Sequence, residues 1–172
     1  DKFSKVFLTF KNINIKEFSG YLSLPYVNNS KVTLGTVKTA SQVYIQSTEG
    51  DIKIKNMLGN VAKVETTEGS IDVTTSGTDI DVKTTSGDIK VSFNSLVIDN
   101  QIDVVSKSGK INFNVKGDLA FILEAYNAKG ELRDDGNVNV AWLEKLVSNP
   151  YPVNGGGKII SLTSNGTINV GL

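Results

Sequence analysis

The stretch TTSGDIKV at Thr84–Val91 is one of five near copies of a single eight-residue unit in this chain. The other copies are STEGDIKI (Ser47–Ile54), TTEGSIDV (Thr66–Val73), SKSGKINF (Ser106–Phe113) and TSNGTINV (Thr163–Val170). Over the first four copies the central glycine recurs every 18 to 22 residues. A period of this length is typical of repeat folds in which one unit stacks on the next.

Each copy ends in two hydrophobic residues separated by one polar residue, as in Ile71–Val73. This alternation predicts a short strand with one buried face, and the preceding Thr, Ser and Gly residues predict a turn. One unit cannot bury its own aliphatic side chains, but units stacked about 4.8 Å apart can bury them against each other. The sequence therefore predicts an all-β, single-domain β-solenoid with irregular caps.

A β-sandwich built from the same short strands is the alternative fold. The nine-residue spacing of Ile71, Ile80 and Ile89 favours the solenoid, because sandwich strands rarely repeat their sequence. We interpret residues 1–172 as one domain, with four parts along the chain. These parts are N-terminal cap strands (1–40), regular repeats (41–130), an irregular segment (131–158) and a final repeat (159–172).

Composition excludes several chemistries. The chain has 18 basic and 18 acidic residues, and Arg133 is its only arginine, so neither a charge excess nor an arginine cluster points to nucleic acid. Without Cys or His, there is no thiol nucleophile, no serine–histidine pair and no imidazole or thiolate zinc site. We predict neither a catalytic site nor a cofactor.

No run of about 18 apolar residues is present, so we predict no transmembrane segment in this chain. The sequence begins at Asp1 rather than at Met. We therefore expect that a signal or membrane anchor lies in a part of the gene that precedes it.

Three polar patterns were weighed as sites. Acidic residues recur beside the strands, and stacked carboxylates can bind Ca²⁺. Lysines occupy equivalent positions, however, which favours cross-strand charge pairing. Rows of threonines could face a sugar, but turn formation explains them more simply. The charged run at Glu131–Asp135 could serve a polysaccharide lyase or hydrolase, yet adjacent strand residues point to opposite faces, which favours an exposed turn.

The aromatic residues concentrate outside the regular repeats. Trp142, Tyr151 and Tyr126, in or beside the irregular segment, are the candidates for a partner-binding surface, because carbohydrate-binding surfaces need exposed Trp or Tyr for stacking. The competing interpretation is that these rings cover the open end of the solenoid.

The recurring T-T/S-x-G-D/S-I-x-V unit, ending in TSNGTINV, resembles a family of bacterial adhesin-like proteins of unknown function built from short SGDI-type β-repeats. The resemblance covers Gln42–Phe113 and Thr163–Val170 well, and the rest in outline. It implies a β-solenoid, often right-handed, and an extracytoplasmic or cell-surface setting in bacteria. It implies no catalytic residues.

We therefore expect a non-enzymatic, cell-surface interaction or structural module, with envelope or host glycans or proteins as candidate partners. A regulatory domain that senses stress in the cell envelope is the alternative, and a polysaccharide-cleaving enzyme is a remote one.

Overall fold

The repeats fold into strands that stack in parallel. A computed structural model describes residues 12–95, 101–116, 120–127, 132–134 and 150–171. Its strands are β1 (Asn12–Ser19), β2 (Leu22–Val27), β3 (Lys31–Glu49), β4 (Ile52–Glu68), β5 (Ile71–Ser76), β6 (Asp79–Ser86), β7 (Ile89–Ser95), β8 (Ile102–Ser106), β9 (Ile111–Val115), β10 (Phe121–Asn127), β11 (Leu132–Asp134), β12 (Tyr151–Val153), β13 (Ile159–Ser164) and β14 (Ile168–Gly171). Within these ranges there is no helix, and hence none that could cross a bilayer.

The strands form two columns. The first column has the order β1-β3-β4-β5-β7-β9-β14-β11, and the second has the order β2-β3-β4-β6-β8-β13-β10-β12. The long strands β3 and β4 turn the corner and contribute to both columns. All pairings are parallel except that of β12 with β10. Successive copies of the unit are thus hydrogen-bonded neighbours, which confirms the solenoid and rules out the sandwich.

Register places equivalent hydrophobic residues on top of each other. Ile71 pairs with Ile52 on one side and Ile89 on the other, and Ile111 continues the row. All four side chains are buried, and the inward residues of both columns form one core cluster. Burying one such side chain stabilises the folded state by about 1.5–3 kcal/mol. The stacked aliphatic residues of the repeats therefore supply most of the hydrophobic packing.

The coil pattern begins before the regular repeats. β1 pairs in register with residues 31–38, and β2 pairs with residues 43–47. Residues 12–27 therefore form a coil of the same kind as the ones that follow.

The turn glycines form a close stack, which we call the glycine ladder. Its members are Gly50, Gly69, Gly87, Gly109 and Gly166. At Gly87 the backbone has φ +145°, and a Cβ atom would lie 2.1 Å from the carbonyl oxygen of Gly69. At Gly109 a Cβ atom would lie 1.8 Å from the carbonyl oxygen of Gly87. The ladder thus excludes side chains because the coils approach each other through backbone atoms.

The hydroxyl rows support these turns. Ser106 Oγ donates to the Gly87 carbonyl over 3.0 Å and accepts from the Gly109 N–H over 2.9 Å. Thr84 Oγ1 donates to the Gly69 carbonyl over 3.3 Å. Thr66 and Thr84 are buried, which favours turn formation at these two positions, whereas Thr67 and Thr85 of the same rows are exposed.

Candidate functional site

The outward side of the second column carries most of the exposed tyrosines, and we call this surface the tyrosine face. Tyr126 on β10 lies near one end of the column and is 66% exposed. Tyr26 on β2 lies at the opposite end and is 77% exposed, with Tyr44 on the neighbouring β3. Strand alternation explains this placement, because Val43 and Ile45 point inward and leave Tyr44 outward.

Tyr126 borders a depression on this face. The depression has a volume of about 380 Å³ and is lined by Glu124, Ala125, Tyr126, Pro150, Ser161, Leu162 and Thr163. It combines one exposed ring, one carboxylate and two side-chain hydroxyls on adjacent strands, β10 and β13. An aromatic face beside hydrogen-bonding groups is an arrangement suited to a ligand that is partly apolar and partly polar, such as a sugar ring.

The three residues predicted to form a partner-binding surface do not share one position. Tyr126 is exposed at the depression, whereas Tyr151 is half-buried and packs against the core. Tyr151 pairs with Leu123 in the antiparallel β10–β12 ladder, and its neighbour Pro150 lines the depression. Trp142 lies outside the described residues.

Tyr44 was not singled out by the sequence analysis, although its outward position in Val43–Ile45 was readable from the alternation. Its hydroxyl donates to Gln46 Oε1 over 2.9 Å. Lys63 Nζ lies 5.9 Å from the centre of its ring, within the range of a cation–π contact. These contacts hold the ring in one orientation on the face.

The middle of the tyrosine face carries a charge cluster. Asp81 and Asp103 are register neighbours on β6 and β8, and Lys83 Nζ lies 2.8 Å from Asp81 Oδ1 and 3.5 Å from Asp103 Oδ2. The contact with Asp81, helped by the charge of Asp103, raises the pKa of the Lys83 ammonium above its ordinary value of 10.5, against the opposing effect of partial burial. One lysine thus compensates two neighbouring carboxylates.

The aspartates that recur beside the strands make ion pairs or accept hydrogen bonds within the fold. Lys53 pairs with Asp72 across β4 and β5, which confirms the predicted cross-strand charge pairing at that position. Asp51 and Asp88, which follow turn glycines, accept backbone N–H groups of the next coil, from Ser70 over 2.9 Å and from Lys110 over 2.8 Å. Across the described ranges, no group of three or more acidic side chains is arranged to hold a metal ion. Of the charged run at Glu131–Asp135, the structure describes only the backbone of Leu132–Asp134.

Lys83 gives a first prediction. In Lys83→Met, the free energy of unfolding at neutral pH should fall by under about 1 kcal/mol, because the pair is exposed and Asp81 and Asp103 then repel each other. A raised folded-state pKa contributes stability below the unfolded pKa and loses it as pH rises through the folded pKa. The difference between the two chains should therefore shrink at alkaline pH beyond the raised pKa of Lys83, as measured by urea unfolding.

The matched control is Lys55→Met, an exposed lysine of the first column. At neutral pH, Lys55→Met should lower the free energy of unfolding by less than Lys83→Met does. If Lys55→Met and Lys83→Met have the same pH profile, the compensating role of Lys83 is wrong.

Parallel coils, a glycine ladder and one tyrosine-bearing face define a β-solenoid repeat protein with a candidate ligand surface. The family model described as Toastrack DUF4097 matches residues 5–170, and the chain belongs to this family. No curated protein and no solved structure gave a match. The family description carries no activity, ligand or location, so the adhesin-like character of the repeats stays a prediction.

Proposed function

We propose that the chain is a non-enzymatic, extracytoplasmic interaction module that binds an extended glycan along the tyrosine face. The observation that carries the proposal is the 66% exposure of Tyr126 beside the depression, at the far end of a face that also bears Tyr44 and Tyr26. The extracytoplasmic setting rests on the resemblance of the repeats to cell-surface adhesins.

Stacking on rigid rings is the physical basis of the proposed binding. A tyrosine offers a large apolar ring and a polar tip at low cost in conformational entropy. Backbone pairing on both sides fixes β3 at Tyr44, and pairing with β13 fixes β10 at Tyr126, so little order has to be created when a ligand binds. Glu124, Ser161 and Thr163 would supply hydrogen bonds to sugar hydroxyls at the depression.

The spacing of the rings favours a polymer over a single sugar. Five strand steps separate β3 from β10 in the second column. At about 4.8 Å a step, Tyr44 and Tyr126 lie about 24 Å apart. A ligand that contacts both rings must therefore extend over several units, and a chain of sugars with a regular repeat meets this requirement.

The state of the carboxylates supports a binding role over glycan cleavage. Glycoside hydrolysis needs two carboxyl groups free to act on the substrate. On the tyrosine face Asp81 and Asp103 share Lys83, Asp79 accepts the Gln101 N–H over 2.9 Å, and a single carboxylate, Glu124, lines the depression. We therefore expect bound glycans to be recovered intact.

The experiment is a pull-down of the purified chain against two panels. One holds bacterial envelope polymers, namely peptidoglycan, teichoic acids and capsular glycans, and the other holds host glycans and matrix proteins. Tyr126→Ala should weaken capture of the bound glycan at least about tenfold, as expected when an aromatic ring that the ligand covers in the complex is removed. Lys90→Ala, which removes an exposed side chain of β7 in the first column, is the control and should bind normally.

Each outcome of the pull-down bears on the proposal. Capture of a host glycan supports the adhesin-like role. Capture of envelope polymers alone supports a role within the cell envelope, where the stress-sensing alternative belongs. No glycan captured from either panel, or equal loss in Tyr126→Ala and Lys90→Ala, contradicts the proposed site.

A further inference from the structure

The last two strands occupy a position in the stack that does not follow chain order. β13 lies between β8 and β10, and β14 lies between β9 and β11. Each is paired in parallel on both sides. The segment 159–171 therefore fills a slot between strands that were laid down earlier in the chain.

The slot contacts the segment 159–171 through features that every repeat shares. Ile160, Leu162, Ile168 and Val170 point inward and are buried. Gly166 stacks on Gly109, whose carbonyl also accepts a hydrogen bond from Ser164 Oγ. Because these contacts involve only the segment and the slot walls, the same segment from a second copy would satisfy all of them.

The segment is joined to the rest of the structure by a hinge of unusual backbone. Asn154, Gly155 and Gly156 have φ values of +48°, +94° and +89° in succession. Asn154 is one of only two non-glycine residues with positive φ among the described residues. Glycine adopts positive φ freely, and Asn does so more readily than most residues with a side chain, so these three residues reverse the chain in a short turn that the Gly156 N–H closes on the Val153 carbonyl over 3.1 Å.

The hinge also crosses over the start of β10. Val153 pairs with Phe121 on one side of that strand, and the Lys158 carbonyl accepts the Ile122 N–H on the other side over 2.9 Å. A Cβ atom at Gly157 would lie 2.7 Å from the Ala120 carbonyl oxygen. The chain can thus reach its own slot only by a tight passage.

We propose that β13–β14 is an exchangeable strand pair, through which two copies of this chain join by each placing its segment 159–171 in the slot of the other. Exchange keeps every strand pairing and changes only the hinge. Exchange of an identical element is a low-cost route to a dimer, because the same contacts form between two chains as within one. This interface is separate from the glycan surface proposed above.

A mixed-cysteine experiment tests the exchange. Asn169 Nδ2 donates to Asn112 Oδ1 over 2.7 Å across β14 and β9, so cysteines at these positions lie close enough to bond. Because the chain has no native Cys, full-length Asn112→Cys and Asn169→Cys copies can be mixed at high concentration, warmed below the unfolding transition and oxidised. A covalent dimer joining the two variants is expected, seen on a non-reducing gel.

The control mixture replaces Asn112→Cys by Thr74→Cys, an outward position of β5 that does not border the slot. It should give several-fold less dimer. Equal yields in the two mixtures, or no dimer in either, would overturn the proposal.

A second, independent measurement uses the hinge itself. Deleting Gly155 and Gly156 from the full chain shortens the hinge between Val153 and Ile159 from five residues to three and removes two of its left-handed positions, which disfavours the return across β10 and favours entry into the slot of a partner. Light scattering should then show a doubling of the molar mass. A folded variant that stays monomeric refutes exchange, and the cysteine experiment decides the matter if the variant does not fold.

Discussion

Gly87→Ala is expected to lower the apparent free energy of unfolding by about 2–6 kcal/mol, or to prevent folding. Two costs combine at this residue. The backbone has φ +145°, a region that costs about 1–3 kcal/mol for a residue with a side chain. The new methyl group would also lie 2.1 Å from the Gly69 carbonyl oxygen, and forcing extra volume into a packed site costs about 1–3 kcal/mol or more.

Two further variants separate these costs. Gly109→Ala keeps the close contact, at 1.8 Å from the Gly87 carbonyl oxygen, without a positive φ. Gly20→Ala keeps a φ of +122° but has only Phe18 Cζ nearby, at 3.9 Å. Urea unfolding should rank Gly20→Ala as the mildest and Gly87→Ala as the most severe. If Gly87→Ala were no worse than Gly20→Ala, the coils would have to move apart at little cost.

Most of the fold was predictable because the sequence repeats the same structural unit several times. Aliphatic alternation in units such as Ile71–Val73 predicts the strands, and the matching units predict that they stack. The role of the glycines was only half predictable. Their turn positions follow from the motif, but the backbone approach at Gly109 depends on how neighbouring coils meet in space.

The order of the last strands was not predictable for a related reason. TSNGTINV carries the same pattern as the other copies, so it fits equally well at the end of the stack or inside it. In the structure the chain crosses over β10 at Gly157 to place β13 between β8 and β10, and neither feature has a local signal in the sequence. Repetition thus predicts that Ile168 and Val170 are buried without predicting which strands they lie between.

The candidate site was predictable in part. Tyr126 is a candidate because it lies beside the irregular segment, and its side chain is 66% exposed beside a depression. Tyr151 fits the same criterion but is half-buried, because its strand folds back antiparallel on β10. The hydrophobic alternation of a three-residue strand does not show whether the strand runs parallel or antiparallel to its neighbour.

Phe113→Ala is expected to cost about 3–5 kcal/mol, the usual range for removing a buried ring. Phe113 is fully buried, and its ring centre lies 5.8 Å from that of Phe93 at a tilt of 50°, a favourable geometry for an aromatic pair. In the other copies of the unit this position holds Ile or Val, as at Val73. Phe113 is also the register partner of Val170, so its ring supports the slot that holds β14.

The cavity left by alanine would lie where β9 meets the last strand pair. We therefore expect backbone amides of β14 to exchange hydrogen faster than those of β5, several coils away, in addition to the shift of the urea midpoint. Phe113→Leu is the matched control, since it keeps most of the volume and should cost under about 1.5 kcal/mol. A loss below about 1.5 kcal/mol in Phe113→Ala itself would mean that neighbouring coils move together and close the cavity. We do not expect this, because the backbones of the coils already touch along the glycine ladder and cannot approach further.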